Sequence, residues 1–401
     1  MMLYPPIPKN EMERLIGLSE FDLDYSNLED NFKDLTKLAA KVAGTDISLI
    51  NLLDSYTQWT ISSHGLGITQ MPRDESVCQY TIMNDGGFEV QDLSKDERFK
   101  DRFYVQDDPK LRYYFGLPLT TNDGINIGAL CVLDNTAKTI NPEKIELLKI
   151  ISDEIVNRLT ALRIIESLKS KLTEATQIQK KVAHDIRGPI GGIIGLAQII
   201  KDQGDDNKLD EVLEFINLIQ KSGSSLLELA DEILSTDIKV LKGNSDDFNL
   251  LIFKDKLEKL YTPQAKTKNI NFQVQLNTSV EKILFSKNKL LQITGNLISN
   301  AMKFTPQNGS ITVDLDIIKN VDENKLHILV KDSGIGLNQE SIDAILSGTS
   351  KSTDGTQGEN GFGFGLALVK HLVDSLNGQI NIHSVVGEGA TFEINLPRKT
   401  N

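Results

Sequence analysis

The spacing of apolar and polar residues divides the first part of the chain into short elements. The predicted elements are a helix over residues 32–42 and strands over residues 47–53, 57–61, 113–119 and 125–133. The polar break Asp54-Ser55 separates the first two strands, and the turn sequence Asn122-Asp123-Gly124 joins the last two. This pattern predicts a small α/β domain over residues 15–141.

The next part of the chain has a helical pattern. Apolar residues recur at steps of three and four from Leu148 to Ile186, within residues 143–187, which contain no Gly or Pro. A second series from Leu209 to Leu234 predicts a helical hairpin within residues 142–242. One hairpin cannot bury two apolar stripes, so a homodimeric four-helix bundle is expected. The alternative is a long helix packed on its own domain.

Residues 248–398 mix strand and helix patterns again, after a polar linker at residues 242–247. A chain of 401 residues has room for two to four domains, each with its own core. The predicted fold class is therefore multidomain α+β. The domain boundaries expected are 15–141, 142–242 and 248–398.

Composition and charge exclude several classes of function. A net charge of −13 argues against a general binder of nucleic-acid phosphates. No apolar run approaches the ~18 residues of a membrane span, and the start of the chain lacks the pattern of a secretion signal. Cys78 and Cys131 cannot form a disulfide framework. A cytoplasmic protein is expected, without nucleic-acid or membrane partners.

A histidine beside a carboxylate lies on the first helix of the hairpin. The neutral imidazole of His184 can attack a phosphorus centre, and Asp185 can orient the ring and accept its proton. Taken alone, the pair is more simply an ordinary surface histidine next to a charged residue.

Three further segments carry groups suited to a polyphosphate nucleotide. Asn296, Asn300 and Lys303 share one helix face, and they offer amide oxygens and an ammonium to a magnesium-bound phosphate. Residues 332–337 place a carboxylate and glycines directly after a strand, and residues 361–366 place alternating glycines at a helix start. Each has a simpler explanation alone: a polar helix face, a glycine turn and a flexible loop.

In their order and spacing, these four segments resemble those of the sensor histidine kinases. The segment around His184 resembles the phosphoacceptor box, and residues 296–304 resemble the asparagine box of the GHKL-type ATP-binding domain. Residues 332–337 and 361–366 resemble its two glycine boxes, and residues 387–392 resemble its last strands. The resemblance implies a dimeric four-helix bundle followed by an α/β-sandwich ATP-binding domain.

The resemblance also implies roles for individual residues, with ATP and Mg²⁺ as cofactors. His184 would accept the γ-phosphoryl group, Asp185 would act as base, and Asn300 would be the Mg²⁺ ligand. Asp332 would bind adenine with Thr391 nearby, and the glycines of the last box would form a lid hinge. The full set expected around ATP is Asn296, Asn300, Lys303, Phe304, Asp332, Gly334, Gly336, Leu337, Gly361, Gly363, Phe364, Gly365, Leu366 and Thr391.

The sequence departs from the family pattern in two places. Gly188 stands where a Thr or Asn often orients water for dephosphorylation of the partner, which predicts weak phosphatase activity. Residues 347–353 replace the aromatic-rich box usual ahead of the lid, which leaves the anchoring of the lid open. The glycines at positions 188, 191, 192 and 195 indicate either a segment that bends readily or close helix packing.

The N-terminal domain resembles a GAF sensor module at residues 71–78, 91–99 and 128–134. Its ligand is unknown. Cys78 lacks the adjacent His of a bilin-bearing cysteine, so buried structural thiols are the simpler interpretation of Cys78 and Cys131. The function expected is a GAF-controlled histidine kinase that passes its phosphoryl group to a separate response-regulator receiver domain. The alternatives are a catalytically silent scaffold and a GHKL ATPase of the chaperone or mismatch-repair kind.

Overall fold

The computed structural model describes residues 7–25, 28–204, 208–235, 249–281, 283, 289–318, 324–347 and 363–398. The chain divides into two compact units, one formed by residues 1–163 with 248–401 and the other by residues 164–247. The predicted linker at residues 242–247 lies outside the described residues. The first unit contains both sheets of the molecule that the structure describes.

The N-terminal sheet has six antiparallel strands in the order β3-β2-β1-β6-β5-β4. Their bounds are Ile47–Leu53 for β1, Thr57–His64 for β2, Gln70–Pro72 for β3, Phe88–Val90 for β4, Tyr113–Thr120 for β5 and Asn126–Asp134 for β6. The four longer strands confirm the strands predicted from the sequence. β3 and β4 have three residues each and carry too little pattern to be predicted.

Helices cover both faces of this sheet. α1 is Glu11–Ser19, α2 is Glu29–Ala43, α3 is Cys78–Thr81 and α4 is Phe103–Gln106. α2 and the beginning of α5 (Pro142–Gln203) bury Phe32, Leu35, Leu148 and Ile155 on one face. The other face packs beneath α3 and α4, around side chains such as Val105. Strands β1 and β6 are therefore buried on both sides, which explains their continuous apolar runs.

The C-terminal sheet has five strands in the order β10-β11-β9-β8-β7, with only the β7–β8 pair parallel. The strands are β7 (Asn271–Leu276), β8 (Ser310–Ile318), β9 (Asn324–Asp332), β10 (Gln379–Val385) and β11 (Gly389–Arg398). The accompanying helices are α7 (Leu250–Thr267), α8 (Leu290–Phe304), α9 (Gln339–Leu346) and α10 (Gly365–Ser375). Alternate residues of β8 are buried, so the sheet has one face against the helices, as in a two-layer α/β sandwich.

The two sheets of this unit share an apolar cluster. Leu15 and Trp59 belong to the same buried cluster as Tyr261 and the core of the C-terminal sheet. The Trp59 ring stacks on Tyr25 at 5.1 Å between centroids and meets the edge of Tyr261 at 6.0 Å. The Gln70 side chain donates a hydrogen bond to the Leu260 carbonyl at 2.7 Å. The N-terminal domain is thus packed directly against α7.

The second unit contains the rest of α5 and α6 (Leu209–Ser235), which form the predicted helical hairpin. α5 has 62 residues and continues through Pro189 to Gln203. In the single chain, apolar side chains on both helices remain exposed, among them Leu172, Ile194 and Leu227. Among the helices in the described ranges, none has a segment long and apolar enough to cross a bilayer.

Candidate functional site

The three polar side chains that the sequence predicts on one face of helix α8 are all buried. Asn296, Asn300 and Lys303 are only 3%, 7% and 6% exposed. The Asn296 amide donates to the Gln292 carbonyl at 2.8 Å, which leaves its carbonyl oxygen directed away from the helix backbone. The Lys303 ammonium lies 4.7 Å from the centre of the Phe304 ring. The four- and three-residue spacing therefore places these groups together, as predicted.

Asp332 ends strand β9 beside the C-terminal end of α8. Its carboxylate accepts hydrogen bonds from the backbone N–H groups of Gly334 at 2.8 Å and Ala390 at 3.3 Å. Burial raises the pKa of this carboxyl above its ordinary value, against the opposing effect of the two hydrogen bonds. A side chain at Gly334 would overlap the Phe304 carbonyl, so glycine is needed for this close approach.

A cleft of about 730 Å³ lies between α8, α9, α10 and the end of β9. The predicted site residues that line it are Asn300, Lys303, Phe304, Asp332, Gly336, Leu337, Gly363 and Leu366. Gly363 has a φ of 79° and leads into α10, whose N-terminal backbone is a favourable place for an anion. The cleft thus combines an amide oxygen and an ammonium with a buried carboxylate, which suits an anionic ligand with an amine-bearing ring.

Some predicted site residues do not line the cleft. Asn296, Gly334, Phe364 and Gly365 border the lined region without belonging to its wall, and Gly361 lies outside the described residues. Thr391 is not in the cleft wall either, because its side chain is on the opposite face of β11 from Ala390 and Phe392, which do line the cleft. The group that reaches Asp332 from β11 is the Ala390 backbone N–H.

Sequence reasoning missed Ala390 and Phe392 as cleft residues. The apolar alternation of β11, with Ala390, Phe392 and Ile394 buried, was the signal that could have indicated them. It also missed Tyr56, a residue of the N-terminal domain that lines the same cleft. No local pattern marks Tyr56, because its neighbours in space are far away along the chain.

His184 and Asp185 lie within α5, on the first helix of the hairpin. Their side chains are outside the described residues, so their predicted chemistry stays a prediction. Around Gly188, Gly191 and Gly195 of the same helix, an added side chain would meet open space within this chain.

The two cysteines face each other inside the N-terminal domain. Their sulfur atoms are 3.1 Å apart, both are buried, and both are free thiols. Asn51 donates to the Cys78 sulfur at 3.3 Å, and the Tyr114 hydroxyl does so at 3.4 Å. Within the described parts of the chain, no cluster of three or more His, Cys, Asp or Glu side chains could hold a metal ion.

Three family models match successive parts of the chain. The GAF domain model matches residues 27–159, the His Kinase A (phospho-acceptor) domain model matches residues 174–237, and the model of the histidine kinase-, DNA gyrase B-, and HSP90-like ATPases matches residues 286–400. The chain belongs to the GAF-containing sensor histidine kinases. The His Kinase A match includes His184, and the ATPase match includes the cleft residues of α8, β9 and α10.

Curated relatives include other sensor kinases. This sensor histidine kinase is 33% identical over 225 residues to the autoinducer 2 sensor kinase/phosphatase LuxQ of Vibrio vulnificus, covering 54% of this chain and 26% of LuxQ. It is 28% identical over 240 residues to the aerobic respiration control sensor protein ArcB of Escherichia coli, covering 58% of this chain and 30% of ArcB. It is 36% identical over 163 residues to the cyclic di-GMP phosphodiesterase PA2567 of Pseudomonas aeruginosa, covering 40% and 28%. The sensor kinase therefore spans less than a third of the length of each of these relatives.

Among solved structures, the catalytic domain of histidine kinase ThkA aligns with 38% of the sensor kinase and 93% of that domain, at 23% identity and a TM-score of 0.32. Mycobacterial sensor histidine kinase MprB aligns with 38% of the sensor kinase and 97% of that chain, at 20% identity and a TM-score of 0.31.

Proposed function

We propose that this chain transfers the γ-phosphoryl group of Mg-ATP to His184 and then to an aspartate on a separate response-regulator receiver domain, under the control of its GAF domain. The observation that carries the proposal is the cleft that gathers Asn300, Lys303, Asp332 and Gly363 in a chain whose phosphoacceptor-type helix contains His184. The two free thiols fit the reducing cytoplasm that we propose as its location.

The donor set of the cleft fits ATP with its metal. Asp332 and Lys303 both line the cleft, where Asp332 would accept a hydrogen bond from the exocyclic amine of adenine and Lys303 would neutralise phosphate charge. Asn300 offers an amide oxygen of the kind that Mg²⁺ prefers, and Asn296 precedes it by one helical turn. When bound, Mg²⁺ would lower the charge repulsion between the phosphates and an incoming nucleophile.

The remaining chemistry belongs to His184 and its neighbour. The neutral imidazole attacks the γ-phosphorus, the bond to the β–γ bridging oxygen breaks, and ADP leaves with that electron pair. The carboxylate of Asp185 accepts the imidazole proton as the new N–P bond forms. The rest of catalysis is positioning and charge neutralisation by the cleft.

We also propose that the chain works as a homodimer. The exposed apolar side chains of α5 and α6 in the single chain need a partner surface, and a second hairpin would bury them in a four-helix bundle. With Gly188 in place of a water-orienting side chain, the dimer should dephosphorylate its partner weakly. Rapid magnesium-dependent dephosphorylation of a phosphorylated receiver domain would contradict this part of the proposal.

The test is incubation of the full chain with γ-labelled ATP and magnesium, beside His184→Gln. His371→Gln is a matched control, because His371 is an exposed histidine of α10 outside the cleft wall. We expect acid-labile, alkali-stable label in the wild type and in His371→Gln, and none in His184→Gln. Label that persists in His184→Gln, or none in the wild type at saturating Mg-ATP, would contradict the proposal.

A further inference from the structure

A turn of the GAF domain contacts the residues expected to bind the phosphates of ATP. Asp54, Ser55 and Tyr56 connect β1 to β2, and they lie against α8 and the start of α10. The Ser55 hydroxyl donates a hydrogen bond to the Asn296 side-chain oxygen, and the Tyr56 hydroxyl donates to that of Asn300 at 3.2 Å. The contacts therefore involve the amide oxygens themselves.

The Tyr56 ring also occupies space at this end of the cleft. A side chain at Gly365 would overlap the ring, so the tyrosine lies directly over the first residue of α10. Tyr56 lines the cleft together with Lys303 and Gly363. The ring thus stands between the Asn300 amide and the helix N-terminus, where a polyphosphate would have to lie.

The turn is held in this shape by its own domain. Arg14 donates to the Leu53 carbonyl at 2.6 Å, and the Arg73 side chain donates to the Asp54 carbonyl at 3.1 Å. The Arg73 backbone N–H donates to the Tyr56 carbonyl at 2.9 Å. A preformed turn loses little conformational entropy when it docks, so a few hydrogen bonds are enough to hold it in place.

We propose that the Asp54–Tyr56 turn is an intramolecular inhibitor that occupies the phosphate end of the ATP site through Ser55 and Tyr56. The inference rests on the proposed function, because it requires the cleft to be the ATP site. ATP and the turn then compete for Asn300, and the apparent ATP affinity is reduced by the fraction of molecules in which the turn is docked. A signal that withdraws the turn from α8 would raise kinase activity without any change in the cleft residues.

The test measures the equilibrium Kd of Mg-ATP for the full chain and for variants of the turn. Tyr56→Ala removes both the ring and the hydroxyl, so we expect ATP to bind about tenfold more tightly, whereas Tyr56→Phe and Ser55→Ala, which each lose one hydroxyl, should give about two- to fivefold. Autophosphorylation at low ATP should rise in the same order. Asp123→Ala, in the exposed β5–β6 turn of the same sheet, is the control and should change neither quantity.

The possible outcomes separate this inference from the proposed function. If the wild type binds ATP as tightly as all three turn variants, the turn does not compete and the inference is wrong, while ATP binding stands. If neither the wild type nor Tyr56→Ala binds ATP, the cleft is not an ATP site and the proposed function fails first. Should Tyr56→Ala fold poorly, as judged by urea unfolding, the two hydroxyl variants still decide between tighter and unchanged binding.

Discussion

The carboxylate of Glu11 lies 2.5 Å from the Nη1 atom of Arg73, and both side chains are completely buried. The same carboxylate also pairs with Arg14 at 2.7 Å. Because both arginines hold the backbone around the Asp54–Tyr56 turn, one buried carboxylate fixes two cations and, through them, the geometry of this turn.

Replacement of Glu11 by Gln should destabilise the chain strongly. The variant leaves two buried guanidinium groups without their shared counter-charge, and breaking such a buried pair costs about 3–5 kcal/mol. Urea unfolding of the full chain measures the loss. Glu13→Gln, on an exposed position of the same helix, is the matched control and should stay within about 0.5 kcal/mol of the wild type. Equal stability of the two variants would contradict the prediction.

The contribution of Glu11 should also depend on pH. Burial raises the pKa of Glu11, but the hydrogen bonds and charges of Arg14 and Arg73 outweigh it and hold the pKa below its ordinary value of 4.5. The unfolded chain therefore binds this proton at a higher pH than the folded chain does. The stabilisation is complete above pH 4.5 and is lost as pH falls through the folded-state pKa. The stability difference between wild type and Glu11→Gln should shrink over that range, and a constant difference would count against it.

Asp332→Asn should separate stability from ligand binding. The asparagine keeps a side-chain oxygen for the Gly334 and Ala390 N–H groups and removes a buried charge, so the free energy of unfolding at pH 7 should not fall. Loss of the charged acceptor should weaken ATP binding by about 10- to 100-fold, since hydrogen bonds to charged groups contribute about 1.5–3 kcal/mol. Titration calorimetry and urea unfolding test the two halves.

The control for that variant is Asp343→Asn, an exposed carboxylate of α9. It should leave both quantities unchanged. Undiminished ATP affinity in Asp332→Asn would remove Asp332 from the proposed site.

Gly295 on α8 leaves room for the Tyr261 hydroxyl, with which a side chain at this position would overlap. Gly295→Ala should therefore cost about 1–3 kcal/mol in overpacking, partly offset by about 1 kcal/mol of helix propensity. Tyr261→Phe removes the overlapping oxygen, so the double variant should recover most of the loss. Urea unfolding of the four proteins gives the coupling energy. Strict additivity would show that the two residues do not oppose each other.

The buried Cys78 thiol should ionise at an unusually low pH for a cysteine. Burial raises its pKa, but hydrogen bonds from Cys131, Tyr114 and Asn51 outweigh it and lower the pKa to about 7. The ultraviolet absorbance of the thiolate in the native chain, taken as the difference from Cys78→Ser, should therefore have its titration midpoint near that pH. Tyr114→Phe removes one donor and should move the midpoint upward, toward the ordinary 9.0. A midpoint near 9.0 in the wild type would contradict the prediction.

Local patterns, together with the family resemblance, were enough to predict the longer strands of the N-terminal sheet and eight of the residues that line the cleft. Strand β1 was predicted with its observed bounds, because a continuous apolar run between polar breaks is a local property. Asn300 and Lys303 share a face by helix periodicity alone. Asp332 lies at the end of a strand that its buried apolar residues predict. These residues approach one another because short connections link consecutive elements of one sheet and its helices.

Local sequence patterns did not predict the contacts between residues that are far apart along the chain. Ser55 and Asn296 are 241 residues apart, and neither residue type nor spacing indicates that they meet. The motif places Thr391 near adenine, which stays a prediction, whereas strand alternation directs its neighbours Ala390 and Phe392 to the cleft. Which side chains of β11 face the cleft depends on the register of this strand, because a shift of one residue exchanges its two faces.

The apolar cluster that joins Leu15 and Trp59 to Tyr261 has a consequence for any dissection of this protein. The family models divide the chain into three domains, but the first and the last of them share one continuous apolar core. A shortened chain of residues 142–401 would expose to water the aromatic surface that Trp59 covers, and it would be prone to self-association for that reason alone. Exchange of the sensor domain by recombination would have the same effect, unless the new sensor domain supplies an apolar surface that packs against α7.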